Sequence, residues 1–277
     1  MKKGITIGSF GGVRLEDAYK TAKKAGFDGV EISLGEDGDI NLKTSEREAL
    51  AIKNTASDAG IELYSLASGL YWKYGYTSDN ESTREKALDI TKKQLELAHC
   101  LGCDTILVVP GAVGVDFIRG YEPVNYQVAY NRVLDALAAL EPFAKAAGVA
   151  IGIENVWNKF LLSPVETRNL IESFSSPYIG AYFDVGNTIL TGYPEHWINI
   201  LGKHIKKVHL KDYRRSAGGL GGFVDLLAGD VDYPAVVKAL REVGYDDWCT
   251  AEMAAYNHYP EALIFNTSLS MDYILGR

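Results

Sequence analysis

Four apolar stretches in the second half of the chain lead into side chains that bind metals or move protons. "AIGIE" ends at Glu154, "AYFD" ends at Asp184, "KVHL" carries His209 and "CTAE" ends at Glu252. Three carboxylates and one imidazole suit Mn²⁺, Mg²⁺ or Co²⁺ and also accommodate Zn²⁺, whereas a structural zinc site usually recruits cysteine. Carboxylates also serve as general acids and bases. A fold that brings these residues together would create a divalent metal centre able to move protons.

Each of these residues has a simpler interpretation when it is taken singly. A glutamate at a strand end is commonly a salt-bridge or capping partner, Asp184 could cap a turn, and His209 could be a hydrogen-bonded core histidine. Four such residues at four successive strand ends are hard to explain as independent accidents. Three crowded carboxylates also repel one another in a low-dielectric space unless a cation neutralises them. The combination therefore favours a metal site.

The elements that would position these residues repeat as a strand, a turn, an amphipathic helix and a glycine. Eight strands are predicted, at Gly4–Gly8, Gly29–Ser33, Glu62–Ala67, Asp104–Val109, Ala150–Glu154, Ile179–Asp184, Lys207–Leu210 and Trp248–Met253. Helices are predicted over Leu15–Lys24, Ser45–Asp58, Arg84–Leu101, Tyr126–Ala147, Val165–Phe174 and Tyr233–Glu242. A glycine, which favours the left-handed backbone just past a helix, ends five repeats, at Gly26, Gly60, Gly102, Gly148 and Gly244.

This alternation of strands and helices has no linker and no low-complexity tract. It predicts an α/β fold, namely a single (β/α)₈ TIM barrel that spans residues 1–277 as one domain. Active sites of such barrels lie at the carboxyl ends of the strands, and neighbouring strands run about 4.8 Å apart. The four metal-binding side chains are therefore expected to converge on one point above the barrel core.

Composition narrows the classes of partner. The formal net charge of −8 argues against nucleic acid, because phosphate backbones are bound through many lysine and arginine contacts. No stretch approaches the roughly 20 apolar residues of a membrane span, and the amino terminus lacks a signal-peptide core. Three cysteines do not form a disulfide framework. We expect a cytoplasmic protein that has neither nucleic acid nor a membrane as a partner.

Five motifs lie at or near the predicted strand ends: "IGIEN" at 151–155, "FDVGN" at 183–187, "VHLKD" at 208–212, "GDVDYPAVVKAL" at 229–240 and "AEM" at 251–253. Through them the chain resembles the sugar isomerase and epimerase superfamily with a xylose-isomerase-like TIM barrel, in particular its ketose 3-epimerases and sugar-phosphate epimerases. The resemblance implies that Glu154, Asp184, His209 and Glu252 bind the metal, with Mn²⁺ expected and Mg²⁺, Co²⁺ or Zn²⁺ as alternatives. It also implies that Glu154 and Glu252 are the catalytic acid/base pair, and that Arg215 helps to hold a ligating carboxylate and the substrate.

The chemistry that these groups fit is inversion of a carbon next to a ketone. One base removes the proton, an enediolate forms, and a second group returns a proton from the opposite face, while the metal acts as a Lewis acid. The sequence thus predicts an isomerase that inverts C3 of a ketose or ketose phosphate in carbohydrate metabolism. Aldose–ketose isomerisation, dehydration of an inosose and sugar binding without turnover remain alternatives. An abasic-site endonuclease is disfavoured, because it should carry many histidines and this chain has five.

Two departures from the free-ketose epimerases concern the substrate. Asn187, a candidate for substrate contact, stands where they carry a histidine, and Phe160 falls where a further glutamate is expected. A phosphorylated pentulose or hexulose, or an inositol-derived ketone, therefore becomes the more natural substrate. Lys211, Arg214 and Arg215 adjoin the glycine-rich loop 216–222 and could hold a phosphate. An ordinary flexible loop with solvated basic residues is an equal alternative.

Aromatic residues provide a further hint about binding. Trp72 lies in "GLYWKYGY" at 69–76, after the third strand, and Trp157 follows the fifth strand. Aromatic rings can cover the apolar face of a sugar, so both residues are candidates for substrate contact, whereas Phe10 and Glu31 are weaker pocket candidates. The same composition is typical of a subunit interface, which would make the protein a homodimer or homotetramer.

Overall fold

The computed structural model describes residues 1–277 and confirms the predicted (β/α)₈ barrel. Eight parallel strands close in the order β1-β10-β7-β6-β5-β4-β3-β2, so that each βα unit places its strand beside the preceding one. The barrel strands are β1 Lys2–Thr6, β2 Gly29–Leu34, β3 Glu62–Ser68, β4 Thr105–Val108, β5 Ala150–Glu154, β6 Ile179–Asp184, β7 Ile205–Leu210 and β10 Trp248–Ala251. Two short antiparallel strands form a hairpin after β7, namely β8 Asp212–Tyr213 and β9 Phe223–Val224.

Eight helices surround the barrel: α1 Leu15–Ala25, α2 Glu46–Asp58, α3 Glu81–Leu101, α4 Tyr126–Ala147, α5 Pro164–Glu172, α6 Pro194–Leu201, α7 Tyr233–Glu242 and α8 Pro260–Leu275. The sequence pattern had not identified α6 and α8. Helix α6 has only eight residues, which is short for a periodicity test. Helix α8 also carries apolar side chains on its outer face, where Leu269 is 59% and Tyr273 77% exposed, and this weakens its amphipathic pattern. None of the eight helices has the length and apolar character that crossing a bilayer requires.

The ends of the helices follow local rules. All five glycines predicted to end a repeat have positive φ angles, between 67° and 89°, which a residue without Cβ adopts at little cost. Helix α2 begins with a capping box, in which the Ser45 side chain accepts from the Glu48 amide and the Glu48 carboxylate accepts from the Ser45 amide. Local sequence thus determines where these helices begin and end.

Two buried side chains on the same face of β7 lie toward opposite ends of the barrel. Lys207 and His209 are two residues apart, so both side chains point to the same face, and both are buried. Lys207 Nζ lies 2.8 Å from Asp104 and 2.5 Å from Asp247, residues that precede β4 and β10 at the amino-terminal end of the barrel. His209 therefore lies one step nearer the carboxyl ends of the strands, where active sites of this fold are found.

Candidate active site

The four predicted metal ligands lie together at the carboxyl ends of four adjacent strands. Glu154 ends β5, Asp184 ends β6, His209 lies near the end of β7, and Glu252 directly follows β10. One ligand atom from each of them lies within 4.8 Å of the corresponding atoms of the others. Glu154, Asp184 and His209 are buried, whereas the Glu252 side chain is 37% exposed. The cluster is thus enclosed by the barrel on one side and open on the side of Glu252.

The strand register produces this convergence. Asp184 is the direct partner of His209 in the β6–β7 pairing, and the Val185 amide donates to the His209 carbonyl. On the other side of β7, the Glu252 amide donates to the Leu210 carbonyl at 3.2 Å, which fixes Glu252 beside His209 after β10 has ended. Neighbouring backbones about 4.8 Å apart leave their side chains within reach of one ion.

Glu31 on β2 orients the imidazole of His209. The Glu31 carboxylate lies 3.0 Å from His209 Nε2 and is almost fully buried, and it also accepts a hydrogen bond from the Tyr182 hydroxyl. A carboxylate accepts but does not donate, so Nε2 carries the proton and Nδ1 faces the cluster. Such carboxylate–histidine pairs fix the tautomer of metal-binding histidines. The sequence marked Glu31 as a weak pocket candidate, and only the barrel closure that brings β2 opposite β7 reveals this contact.

Asp184 is held by two asparagines. The Asn187 amide donates to Asp184 Oδ1 at 2.7 Å, and the side-chain amide of Asn187 donates to the Asn155 carbonyl at 2.9 Å. The Asn155 side chain bridges β5 and β6, since it donates to the Asp184 carbonyl and accepts from the Asp184 amide, both at 2.8 Å. These bonds leave Asp184 Oδ2 directed toward the cluster. Asn187, a predicted substrate contact, thus also positions Asp184.

Lys211 lies inside the cluster. Its Nζ is 3.1 Å from Asp184 Oδ2 and 2.8 Å from Glu252 Oε2, and its side chain is 18% exposed. This position differs from the predicted one beside the glycine-rich loop, because the residue after β7 turns back over the carboxylates. The two neighbouring carboxylates outweigh burial and hold the pKa of Lys211 above its ordinary value.

The carboxyl groups differ in their proton affinity. Burial raises the pKa of Glu154 to about 7 and raises the pKa of Asp184 above its ordinary value. Partial burial acts in the same direction on Glu252, but the Lys211 ammonium and the His209 ring outweigh it and hold the pKa of Glu252 well below its usual range. Burial would lower the pKa of His209, but the facing carboxylates, Glu31 first, raise it well above 6.5. Burial therefore accounts for the raised pKa values of Glu154 and Asp184, and neighbouring charges account for the shifts of Glu252 and His209.

The donor set fits a divalent metal ion. Asp184 Oδ2 and His209 Nδ1 are buried and lack a hydrogen bond of good geometry. Their nearest charged neighbours belong to the same cluster, with Lys211 Nζ 3.1 Å from Asp184 Oδ2 and Glu252 Oε2 2.8 Å from His209 Nδ1. Native structures leave few buried polar atoms without a partner, and one cation among these four side chains would satisfy both atoms. Three carboxylate oxygens and one imidazole nitrogen could therefore hold a divalent ion.

A cavity of about 460 Å³ opens above Glu252 and Lys211, and its wall is largely apolar. Trp72 packs edge-on against Phe117 at 5.2 Å, and Trp157 packs against Phe223 at 5.1 Å between ring centroids. The Trp157 indole nitrogen donates to the Asn187 carbonyl at 2.9 Å, which fixes that ring. Both predicted aromatic contacts, Trp72 and Trp157, therefore line the entrance to the cluster.

The structure does not bring the predicted basic group together. Arg215 is exposed, and its Nε donates to the Ile189 carbonyl at 3.0 Å rather than to a carboxylate of the cluster. Arg214 donates to the Ala228 carbonyl at 2.8 Å. Neither arginine lines the cavity, and Leu220 is the only residue of the loop 216–222 that does. Arg215 makes no hydrogen bond to a carboxylate of the cluster in this structure, and its expected role in holding a ligating carboxylate and the substrate stays a prediction.

Comparison with known proteins agrees with this geometry. A family profile described as "Xylose isomerase-like TIM barrel" matches residues 19–271. The chain belongs to this family. The match includes all four residues of the cluster together with Glu31 and Lys211. The resemblance seen in the sequence motifs is thereby confirmed.

The chain is also similar to several proteins named as epimerases. L-ribulose-5-phosphate 3-epimerase UlaE of Escherichia coli K12 is 26% identical over 242 residues, which cover 83% of this chain and 78% of UlaE. A solved L-ribulose 3-epimerase superposes with a TM-score of 0.79 at 22% identity, covering 99% of this chain and 94% of its own. The IOLI protein, solved with a bound zinc atom, has a TM-score of 0.82 at 18% identity and covers 100% and 98% of the two chains. These relatives confirm the prediction that the protein is an enzyme of the isomerase type.

Proposed function

We propose that this member of the xylose isomerase-like family is a divalent-metal-dependent epimerase that inverts C3 of a ketose. One observation carries the proposal: one ligand atom from each of Glu154, Asp184, His209 and Glu252 lies within 4.8 Å of the others at the carboxyl ends of the strands. Epimerisation next to a ketone needs an acid/base group on each face of the carbon, and two carboxyl groups around one cation can supply them. The names of the relatives, among them an L-ribulose-5-phosphate 3-epimerase and an L-ribulose 3-epimerase, support the same reaction.

Glu154, Asp184, His209 and Glu252 would hold the ion, with Mn²⁺ the expected one and Mg²⁺, Co²⁺ or Zn²⁺ as alternatives. When bound, a divalent ion supplies a Lewis acid that stabilises negative charge developing on a substrate oxygen. Glu31 keeps the proton of His209 on Nε2 and the lone pair of Nδ1 toward the cluster. Asn155 and Asn187 keep Asp184 Oδ2 in the same direction.

Glu154 and Glu252 perform the proton transfers in this proposal. One carboxylate accepts the C3 proton, the electron pair of the broken C–H bond moves toward the C2 carbonyl, and an enediolate forms. The other carboxyl group then donates a proton to the opposite face of C3 and the carbonyl is restored. In the reverse direction the two groups exchange roles. The enclosed position of Glu154 and the open position of Glu252 suit two faces of one substrate.

The cavity favours a ketose without a phosphate group. Lys211 is the only cationic side chain in its wall, and it is already paired with Asp184 and Glu252, while the exposed Asp225 adds negative charge. A phosphate dianion would face these carboxylates without the arginine or lysine contacts that it usually needs. The rings of Trp72 and Trp157 suit the apolar C–H face of a sugar. We therefore propose a small, uncharged sugar as the substrate. We also propose that the protein acts in the cytoplasm and that residues 1–277 form one barrel domain.

The test is proton exchange followed by NMR. Protein with Mn²⁺ is incubated in D₂O with a panel of ketoses, ketose phosphates and inososes, and a chelator-treated sample serves as the control. Deuterium at C3 together with the C3 epimer is the expected result, and it should disappear after chelation. Exchange at C1 would indicate an aldose–ketose isomerase, loss of water an inosose dehydratase, and tight sugar binding without exchange a non-catalytic barrel.

A further inference from the structure

We infer that the ammonium group of Lys211 competes with a divalent ion for Asp184 and Glu252 and thereby lowers the metal affinity of the site. The inference rests on the proposed metal centre and goes beyond it. It concerns a residue that supplies no ligand atom, and it predicts that this residue weakens metal binding.

The geometry places the ammonium where it must interfere. Lys211 Nζ lies 3.1 Å from Asp184 Oδ2 and 2.8 Å from Glu252 Oε2, so it occupies both carboxylates at once. Apart from this ammonium, the Asp184 oxygen has no hydrogen-bonding partner, and the same Glu252 oxygen also lies 2.8 Å from His209 Nδ1. An ion that binds Asp184 and Glu252 must therefore take over two contacts that the ammonium makes. Two cations a few ångströms apart also repel each other in a site that water reaches poorly.

The surroundings give Lys211 a place to move. Its side chain lines the cavity of about 460 Å³ beside Phe223, whose ring centroid lies 5.7 Å from Nζ. Its backbone is held by the start of α7, because the Lys211 carbonyl accepts from the Tyr233 hydroxyl at 3.1 Å. Gly186 makes room for the start of the side chain, since a Cβ there would lie 2.5 Å from Lys211 Cβ. The ammonium can thus leave the carboxylates while the residue stays in position.

This arrangement also explains how the carboxylates are tolerated before an ion binds. Asp184 is fully buried, and three carboxylates within reach of one another would repel. The Lys211 ammonium neutralises two of them, Asp184 and Glu252. A fourth carboxylate, Glu31, pairs with His209. The Lys211 ammonium thus offsets negative charge at a site whose carboxylates are in place without an ion, and a divalent ion would take over this role.

The test is calorimetric titration of the chelator-stripped protein with MnCl₂, and separately with ZnCl₂, in the absence of sugar. The Lys211→Met variant removes the charge and keeps much of the apolar stem, and we expect it to bind the ion at least about tenfold more tightly than wild type. Lys211→Arg keeps the charge and should stay close to wild type. Lys238→Met removes a lysine from an exposed pair with Glu242 on α7 and serves as the matched control.

Equal or weaker binding by Lys211→Met would overturn the inference, and so would an equal gain in Lys211→Arg, because the effect would then reflect shape and not charge. Binding by neither wild type nor variant would instead contradict the proposed metal centre. A second measurement uses wild-type protein alone, with limited acetylation by acetic anhydride followed by mass spectrometry. Lys211 should react faster in the Mn²⁺-loaded protein than in the stripped protein, whereas unchanged reactivity would show that the ion does not displace it.

Discussion

His209 Nε2 lies 3.0 Å from the carboxylate of Glu31, a residue 178 positions earlier in the chain, and both side chains are almost fully buried. The contact joins β2 and β7 across the barrel interior. It directs the other ring nitrogen, Nδ1, toward Glu154, Asp184 and Glu252. Glu31 therefore positions the only nitrogen ligand of the proposed metal centre.

Glu31→Gln should lower the affinity for Mn²⁺ by about 10- to 100-fold, because an amide can stabilise the wrong tautomer of His209 and withdraws the negative charge. The fold should remain, since the amide has nearly the same shape as the carboxylate. Calorimetric titration measures the affinity and circular dichroism the fold. Glu62→Gln, at an exposed pair with Lys2, is the control. Unchanged Mn²⁺ affinity would mean that the pairing is structural only.

Glu154→Gln should reduce epimerisation by at least about 10²-fold, the size of a typical general acid/base contribution. The variant should also lose deuterium exchange at C3, because the amide cannot accept that proton. NMR in D₂O measures both effects, and a thermal melt checks that the protein is folded. Glu96→Gln, at an exposed pair with Lys93 on α3, is the matched control. Wild-type exchange in Glu154→Gln would remove this residue from the mechanism.

Metal affinity should depend on pH with a defined sign. Burial raises the pKa of Glu154 to about 7, and the ion binds only the deprotonated carboxylate. The apparent affinity for Mn²⁺ should therefore fall as the pH decreases from 8 to 6, by up to about tenfold per unit once Glu154 is protonated. His209 acts in the same direction, since Nδ1 must be free of a proton. Calorimetric titrations at several pH values should give a smaller slope for Glu154→Gln, and a flat wild-type profile would contradict the prediction.

The cavity should discriminate against phosphate. We expect kcat/KM for a free ketose to exceed that for its terminal phosphate by at least about tenfold, because the dianion would approach Glu252 and Asp225 without a free cation. Asp225→Lys should reduce this ratio, chiefly through a lower KM for the phosphate. Asp225→Asn, which removes the charge without adding a cation, should lie between the two. A wild-type preference for the phosphate would show that Lys211 or the loop 216–222 serves as its site after all.

The sequence by itself determined the strands that lead into the site and the side chains at their ends. The predicted β5 and β6 agree with the structure at both ends, because buried β-branched runs bounded by turn residues carry a strong local signal. Glu154, Asp184, His209 and Glu252 could be found because parallel strands of a closed barrel end on one side, so spacing along the chain predicts proximity in space.

The tertiary structure decided which groups support that cluster. Glu31 could not be assigned from the sequence, because its partnership with His209 depends on barrel closure and on side-chain direction, not on any local pattern. The roles of Lys211 and Arg215 were likewise decided by the path of the chain after β7. One basic side chain turns inward onto two carboxylates, while the other reaches a backbone carbonyl outside the cavity. Residues a few positions apart in an irregular loop can point in opposite directions, and only packing against the barrel fixes which one enters the site.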